Sequence, residues 1–324
     1  MPNTKCNQQA TKRFWSVMLP MALLLSGCSR GKVVTKVASD GSWIRRVELH
    51  GPGPDKTGGM VPIPKLEDTF AVPGAPWVIT HEKKDADEFL VCTRSMKPGE
   101  SLSNDVVCKA KTDKGYVPCS QNQCSVKQTG PGEYTYTETI HWVGAKPTTS
   151  LIDVDVVKHL RAVLPAGLAT DASLKRVSTR LSGDIMRVFL GPPEPLFTTI
   201  LSQAMMAPDL AEHKISAEVG EKLAAALTDE YGSRLTAAQR TTAVEKLVAE
   251  TFKSTAGKTD FDPTKPPSKD NGSLVSLTFS IKLPGKIIKT NGNIDHLSNE
   301  VYWGLYPEAA AMGQDIVLTA TCRL

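Results

Sequence analysis

The chain has 324 residues, 40% of them hydrophobic and 22% charged, with a formal charge of +4. Three basic residues, Lys5, Lys12 and Arg13, stand within Met1–Gly27, where no acid occurs, so taking three from +4 leaves the remainder at +1. A nearly neutral chain with no basic stripe of interleaved aromatics excludes a nucleic-acid-binding surface. Its size allows one large domain or two small ones.

Phe14–Gly27 is almost wholly apolar and follows the basic start, the order of a secretory signal. At about fourteen residues, interrupted by Pro20, the run is too short to span a bilayer core, which needs ~20. It closes with Leu25-Ser26-Gly27-Cys28. This tetrapeptide resembles the lipobox of bacterial lipoprotein signals. The resemblance implies that residues 1–27 are removed and that Cys28, carrying a diacylglycerol and an acylated amine such as a palmitoyl amide, begins the mature chain. Several acyl chains at about 0.8 kcal/mol per buried CH₂ anchor a protein firmly. Ser29 follows, not Asp, which by the same resemblance points to the outer membrane of a bacterial envelope.

Residues 28–151 read as strand-rich. "KVVTKVA" and "WIRRVELH" flank the turn signal "SDGS" and form a hairpin. Gly51–Pro76, rich in Pro and Gly, reads as loop. "PWVITHE", "EFLVCTR" and "DVVCKAK" are strands. In "GEYTYTETIHWVG", Tyr134, Tyr136, Ile140 and Trp142 share one face and Thr135, Thr137, Thr139 and His141 the other. Cys92, Cys108, Cys119 and Cys124 cluster here. In an exported chain they are expected to form two disulfides. Four cysteines allow three pairings; Cys92–Cys108 and Cys119–Cys124 are taken as the local ones. "CSQNQC" also has the wide end of zinc-ligand spacing, a reading that oxidising conditions disfavour. Cys322 remains as a buried, unpaired thiol.

Residues 152–258 change to a helical period. Leu174, Val177, Leu181, Ile185 and Val188 make one apolar face, and Val219, Leu223, Leu227 and Tyr231 a second. Thr236 with Gln239 forms a capping box before a third helix with Val244, Leu247, Val248 and Phe252 inward. A further short helix is expected in "GPPEPLFTTILSQAMMAP". Residues 259–273 lie in a polar, Pro-rich linker. Strands return over 274–324: Val275, Leu277, Phe279, Ile281 and Leu283 face one way, as do Val301, Trp303 and Leu305, and then Ile316, Leu318, Ala320 and Cys322.

The expected fold class is α+β: one antiparallel sheet whose N-terminal and C-terminal strands flank an inserted helical block, the helices covering the sheet. The stretch "FSIKLPGKIIKTNGNIDHLSNEVYWGL" with "DIVLTATCRL" resembles the LppM-like lipoprotein domain family through Leu283, Pro284, Gly285, Asn291, Gly292, Val301 and Trp303. That family comprises envelope lipoproteins, and the resemblance implies the α+β fold and the anchor. The motif itself reads as structural, with Pro284-Gly285 and Asn291-Gly292 as turns, the second of hairpin type, and Trp303 as core.

Catalytic signatures are missing from the sequence. No His-Glu-x-x-His occurs, "HEKKD" at His81 fails it, and there is no Gly-x-Ser-x-Gly elbow. "GPGPDKTGG" lacks Walker spacing. Asp260 and Asp262 read as solvated linker, and Asp153 and Asp155 as acids at a helix start. Glu138 and His141 fall on opposite strand faces. No catalytic residue, metal or cofactor is expected. The expected role is a non-catalytic binding module for a lipid, a peptide or an envelope protein, held to the membrane through Cys28. The alternative is an envelope hydrolase with a site built from scattered residues.

Overall fold

The computed structural model describes residues 30–52, 66–84, 87–112, 115–144, 156–196, 208–255, 275–312 and 314–324. Cys28 and its leader, Asp153, Asp155, Asp260, Asp262, the linker and most of the segment expected to hold the short extra helix lie outside the described residues.

The described strands run β1 (Arg30–Val37), β2 (Trp43–Pro52), β3 (Phe70–Ala71), β4 (Val78–Lys84), β5 (Asp87–Met96), β6 (Ser101–Ser103), β7 (Val107–Thr112), β8 (Gly115–Pro118), β9 (Ser120–Gly130) and β10 (Glu133–Trp142). Helices α1 (Val156–Val163), α2 (Asp171–Leu190), α3 (Pro208–Tyr231) and α4 (Ala237–Thr255) follow. Then come β11 (Ser276–Lys282), β12 (Lys286–Thr290), β13 (Asn293–Asp295), β14 (Glu300–Leu305), a 3₁₀ turn (Pro307–Met312) and β15 (Ile316–Arg323). The fold is α+β. Helices α1 to α4 fall in one compact unit, within Pro147–Phe189 and Leu196–Lys265, and every described strand in another, within Leu24–Lys146, Leu190–Pro195 and Pro266–Leu324, together with a single helical turn at Leu66–Thr69.

The helical unit follows its periodicity. Leu174, Val177, Leu181, Leu223, Leu227, Tyr231 and Leu247 lie in its buried core. The capping box forms as expected: the Gln239 amide N–H donates to Thr236 Oγ1 (3.2 Å), and the Thr236 N–H donates back to Gln239 Oε1 (3.0 Å). Val244 and Val248 are only partly buried, and the side chain of Phe252 is outside the described set.

The strand unit departs from a single antiparallel sheet. Its strands form three sheets, ordered β13-β14-β11-β1-β2-β5-β4, β12-β15-β10-β9-β6 and β3-β7-β8. Most pairs are antiparallel, including the β1–β2 and β4–β5 hairpins, but β1 and β11 pair in parallel with Arg30 opposite Ser276. Parallel neighbours need a long crossover, and nearly the whole chain lies between these two. The two larger sheets also cover each other. Alternation leaves each with an apolar face, and two such faces satisfy one another as a sandwich. Tyr136 of β10 stacks on Trp303 of β14 with ring centroids 6.0 Å apart, and both are buried with Val33, Val47, Phe279, Ile281, Ile140, Leu318 and Cys322.

The two motif turns join sheets rather than hairpin partners. Pro284-Gly285 leads from β11 in one sheet to β12 in the other, and Asn291-Gly292 leads back to β13. Neither glycine has positive φ; each is required for space. A Cβ on Gly285 would lie 2.2 Å from the Arg323 carbonyl oxygen, and one on Gly292 would lie 2.5 Å from the Trp303 indole. Asn291 clasps the corner. Its Oδ1 accepts from Trp303 Nε1 (3.0 Å) and the Thr319 amide (2.9 Å), and its Nδ2 donates to the Val317 carbonyl (2.7 Å).

Candidate functional site

The strongest concentration of charge lies inside the sandwich. Along β2 the inward residues are Trp43, Arg45, Val47 and Leu49, so Arg45 enters the apolar face with 0% exposure. Along β10 the inward residues are Tyr134, Tyr136, Glu138 and Ile140, and Glu138 is likewise 0% exposed. Asp105 arrives between β6 and β7. Asn104 before it takes φ 57°, a left-handed conformation that Asn tolerates. The Asn104 amide donates to the Asn122 carbonyl (2.8 Å), and the Val106 amide donates to Asn122 Oδ1 (2.9 Å). These bonds turn the Asp105 side chain inward.

Arg45 uses the full fork of its guanidinium. Nε donates to Asp105 Oδ2 (2.8 Å), and Nη1 donates to Thr35 Oγ1 (2.9 Å) and the Tyr136 hydroxyl (3.3 Å). Nη2 lies 2.9 and 2.8 Å from the two Glu138 oxygens. Asn122 Nδ2 bridges the two carboxylates, donating to Asp105 Oδ1 (2.5 Å) and Glu138 Oε1 (2.7 Å). The Tyr136 hydroxyl donates to Glu138 Oε2 (2.8 Å). Phe279 closes one side, its ring centroid 5.9 Å from the guanidinium carbon. An isolated charge here would be prohibitive; this geometry satisfies the donors and acceptors together.

One cation faces two carboxyl groups, and burial sets the balance. Desolvation pushes Glu138 above the usual carboxylate range against the pull of Arg45, with the Asp105 charge pushing the same way. Burial opposes the Arg45 charge too, but Asp105 and Glu138 more than offset it and hold the guanidinium well above its ordinary value. Burial also holds Tyr136 and the neighbouring Cys124 thiol well above theirs. With Arg45, Glu138 and Asp105 each 3% exposed or less, the cluster offers no face to a substrate. It ties β2 of one sheet to β10 of the other through Arg45 and Glu138.

The expected site residues are scattered. His141 stands on the outer face with Nδ1 2.7 Å from Asp315 Oδ1, away from inward Glu138. His81 sits in exposed β4. Cys92, Cys108, Cys119, Cys124 and Cys322 are all buried free thiols. The strand ladders place each of them. Cys92 lies between Val47 and Ile79 across its neighbours, and Cys108 lies opposite Phe70 on one side. Ser120–Cys124 is extended strand, so Cys119 and Cys124 stand at least ~13 Å apart, beyond disulfide reach. Among the described residues no group of three or more His, Cys, Asp or Glu could hold a metal.

A third acid, Glu308 in the 3₁₀ turn, is half-buried with an Oε2 that is sealed from solvent and has no hydrogen-bond partner. Burial pushes its carboxyl up to about 7 from 4.5, against weak opposition from the Glu308 and Val275 amides. The folded state therefore keeps a proton that the unfolded chain has released. Stability from this group is full below pH 4.5, falls as pH rises toward 7, and is lost above it. Glu308→Gln is expected to flatten that decline and to raise stability at pH 8 by on the order of 1–3 kcal/mol. Urea unfolding of both forms at pH 5 and pH 8 checks this: equal gains at the two pH values contradict it.

No protein-family model matches the chain, and neither the curated proteins nor the solved structures contain a match.

Proposed function

We propose that the chain is a lipid-anchored protein of the bacterial envelope, held through Cys28, whose folded part is a non-catalytic binding module for a lipid, a peptide or an envelope protein. The observation that carries this reading is Leu25-Ser26-Gly27-Cys28 at the end of a short apolar leader with a basic start. Ser29 favours the outer membrane. The likeness of the C-terminal strands to LppM-like lipoproteins adds to it. Residues 152–258 are a helical block inserted between N-terminal strands 28–151 and C-terminal strands 274–324, with 259–273 as linker. The parallel β1–β11 pair and the β10–β15 pair, each joining strands from both sides of the helices, support that organisation. A binding role is favoured over hydrolysis because the densest group of titratable side chains is sealed and its members are spent on one another. Among the described residues no helix is long and apolar enough to cross a membrane.

The test compares wild type with Cys28→Ala in cells fed an alkynyl fatty acid. Wild type is expected to be labelled and to sediment with membranes. The variant is expected to carry no label and to accumulate as the longer precursor. Equal labelling of the two forms overturns the anchor.

A further inference from the structure

We infer that Cys108 and Cys119 form a disulfide with each other, leaving Cys92, Cys124 and Cys322 as buried thiols. The ladder between β7 and β8 sets Lys109 opposite Pro118 and Thr112 opposite Gly115. One step further along the same register, Cys108 faces Cys119, and the Cys119 amide donates to the Cys108 carbonyl at 2.9 Å. Directly opposed residues of a hydrogen-bonded antiparallel pair have Cα atoms ~5.5 Å apart, at the centre of the range that a disulfide spans.

The second observation concerns side chains. Cys119 Sγ lies 3.3 Å from the Cys108 carbonyl oxygen, so its thiol already points at the partner residue. Cys119 is also pinned. Its carbonyl accepts from the Val143 and Gly144 amides, and a Cβ on Gly144 would lie 2.9 Å from Cys119 Cβ. Cys108 is held by its amide's bond to Ser120 Oγ (3.1 Å). The pair is buried, at 1% and 3% exposure, so no solvent thiol reaches it in the closed state. Access comes through β8, an edge strand bonded only to β7 and largely exposed.

Burial raises the Cys119 thiol to about 12 and Cys108 well above its ordinary value. Both are therefore inert when closed, and oxidation proceeds with β8 lifted. The oxidant is a small-molecule or protein disulfide. The Cys119 thiolate attacks one of its sulfurs and expels one reduced thiol. The Cys108 thiolate then attacks the mixed disulfide, forming the Cys108–Cys119 bond and expelling the second. Two protons leave the cysteines and two electrons end in the two reduced thiols. Other cysteines lack such a neighbour: Cys124 sits beside Arg45 and Glu138, and Cys322 opposes Tyr134 and Ile287.

The inference rests on strand register and not on where the protein resides, so it is tested in vitro. The full chain is equilibrated with oxidised glutathione, alkylated without reductant, digested with trypsin and mapped by mass spectrometry. The expected product joins peptide Ser95–Lys109 to peptide Gly115–Lys127, with fragment ions placing the link at Cys119 and not Cys124. Cys119→Ser is expected to abolish it and Cys124→Ser to leave it intact. Cys108 and Cys119 both recovered alkylated overturns the inference, as does a link from either to Cys92, Cys124 or Cys322.

Discussion

Arg45→Met should destabilise the protein by about 3–5 kcal/mol, although methionine fills much of the same volume. The loss does not come from packing. Removing the guanidinium leaves Asp105 and Glu138 inside the sandwich with no cation, and an uncompensated buried charge is among the most expensive single defects. Four residues that accept from Arg45, namely Thr35, Asp105, Tyr136 and Glu138, lose a partner at once. The pH dependence identifies the cause. Glu138, already pushed up by burial, rises further without Arg45. The variant's stability is then fullest below the unfolded carboxylate value of 4.5 and drains away as pH rises. Urea unfolding across pH 4.5 to 8 should therefore show the gap to wild type narrowing at the acid end. Adding Glu138→Gln and Asp105→Asn should recover part of the loss at pH 7. A pH-independent deficit that the added changes leave untouched would mean that Arg45 acts through bulk alone.

A loss of similar size is expected from Trp303→Ala, at about 3–5 kcal/mol for a fully buried aromatic. The indole touches two separate pieces of the sandwich: the Tyr136 ring, and the Asn291-Gly292 corner through the Asn291 amide oxygen and the Gly292 backbone. Gly292→Ala should also destabilise, by about 1–3 kcal/mol, because its Cβ would press on Trp303 Cε2 and Nε1 and on Val301 Cγ1. The two effects are coupled. With the indole gone, only the Val301 methyl still presses on the alanine, so the double variant should be more stable than the sum of the two losses predicts. Strict additivity of the four unfolding free energies would sink the assignment of Gly292 as a spacing residue.

These two sites show how far the residues themselves announced the architecture. Alternation located β10, β11, β14 and β15 and their buried faces, because a strand packed on one side must repeat every two residues, while β9 (Ser120–Gly130) went unread. The Thr236–Gln239 box located a helix start for the same kind of local reason. The same alternation also carried the signal for the charged cluster. Arg45 stands at the parity of Trp43, Val47 and Leu49, and Glu138 at that of Tyr136 and Ile140. A charge at an inward position demands a partner, but nothing local names it. Asp105 and Asn122 come from other parts of the chain, and their meeting is a property of the sandwich. Asn291-Gly292 has the composition of a hairpin turn. Its glycine is needed for an indole above it and not for backbone curvature, a distinction that only the opposing sheet reveals. Which cysteines stand near one another depends on register between strands, which spacing along the chain does not carry.

The parallel pairing of β1 with β11 has a bearing on the order of events when the chain is made. Synthesis delivers the amino end first. β1 and β2 can meet at once, but the other side of β1 waits for Ser276–Lys282, and β10 waits for Ile316–Arg323 at the far end. Until then two bare strand margins with apolar faces stand open, the kind of template that recruits other chains. Contacts of such long separation also slow folding. The protein therefore reaches its native state only after its last residues have emerged. A ribosome that stalls before Ser276 releases a product with both margins unsealed, and one that stalls between Lys282 and Ile316 leaves the β10 margin open. Such a product is a natural substrate for holding chaperones and for proteolysis, and it should separate from the finished protein in a pulse-chase with protease challenge.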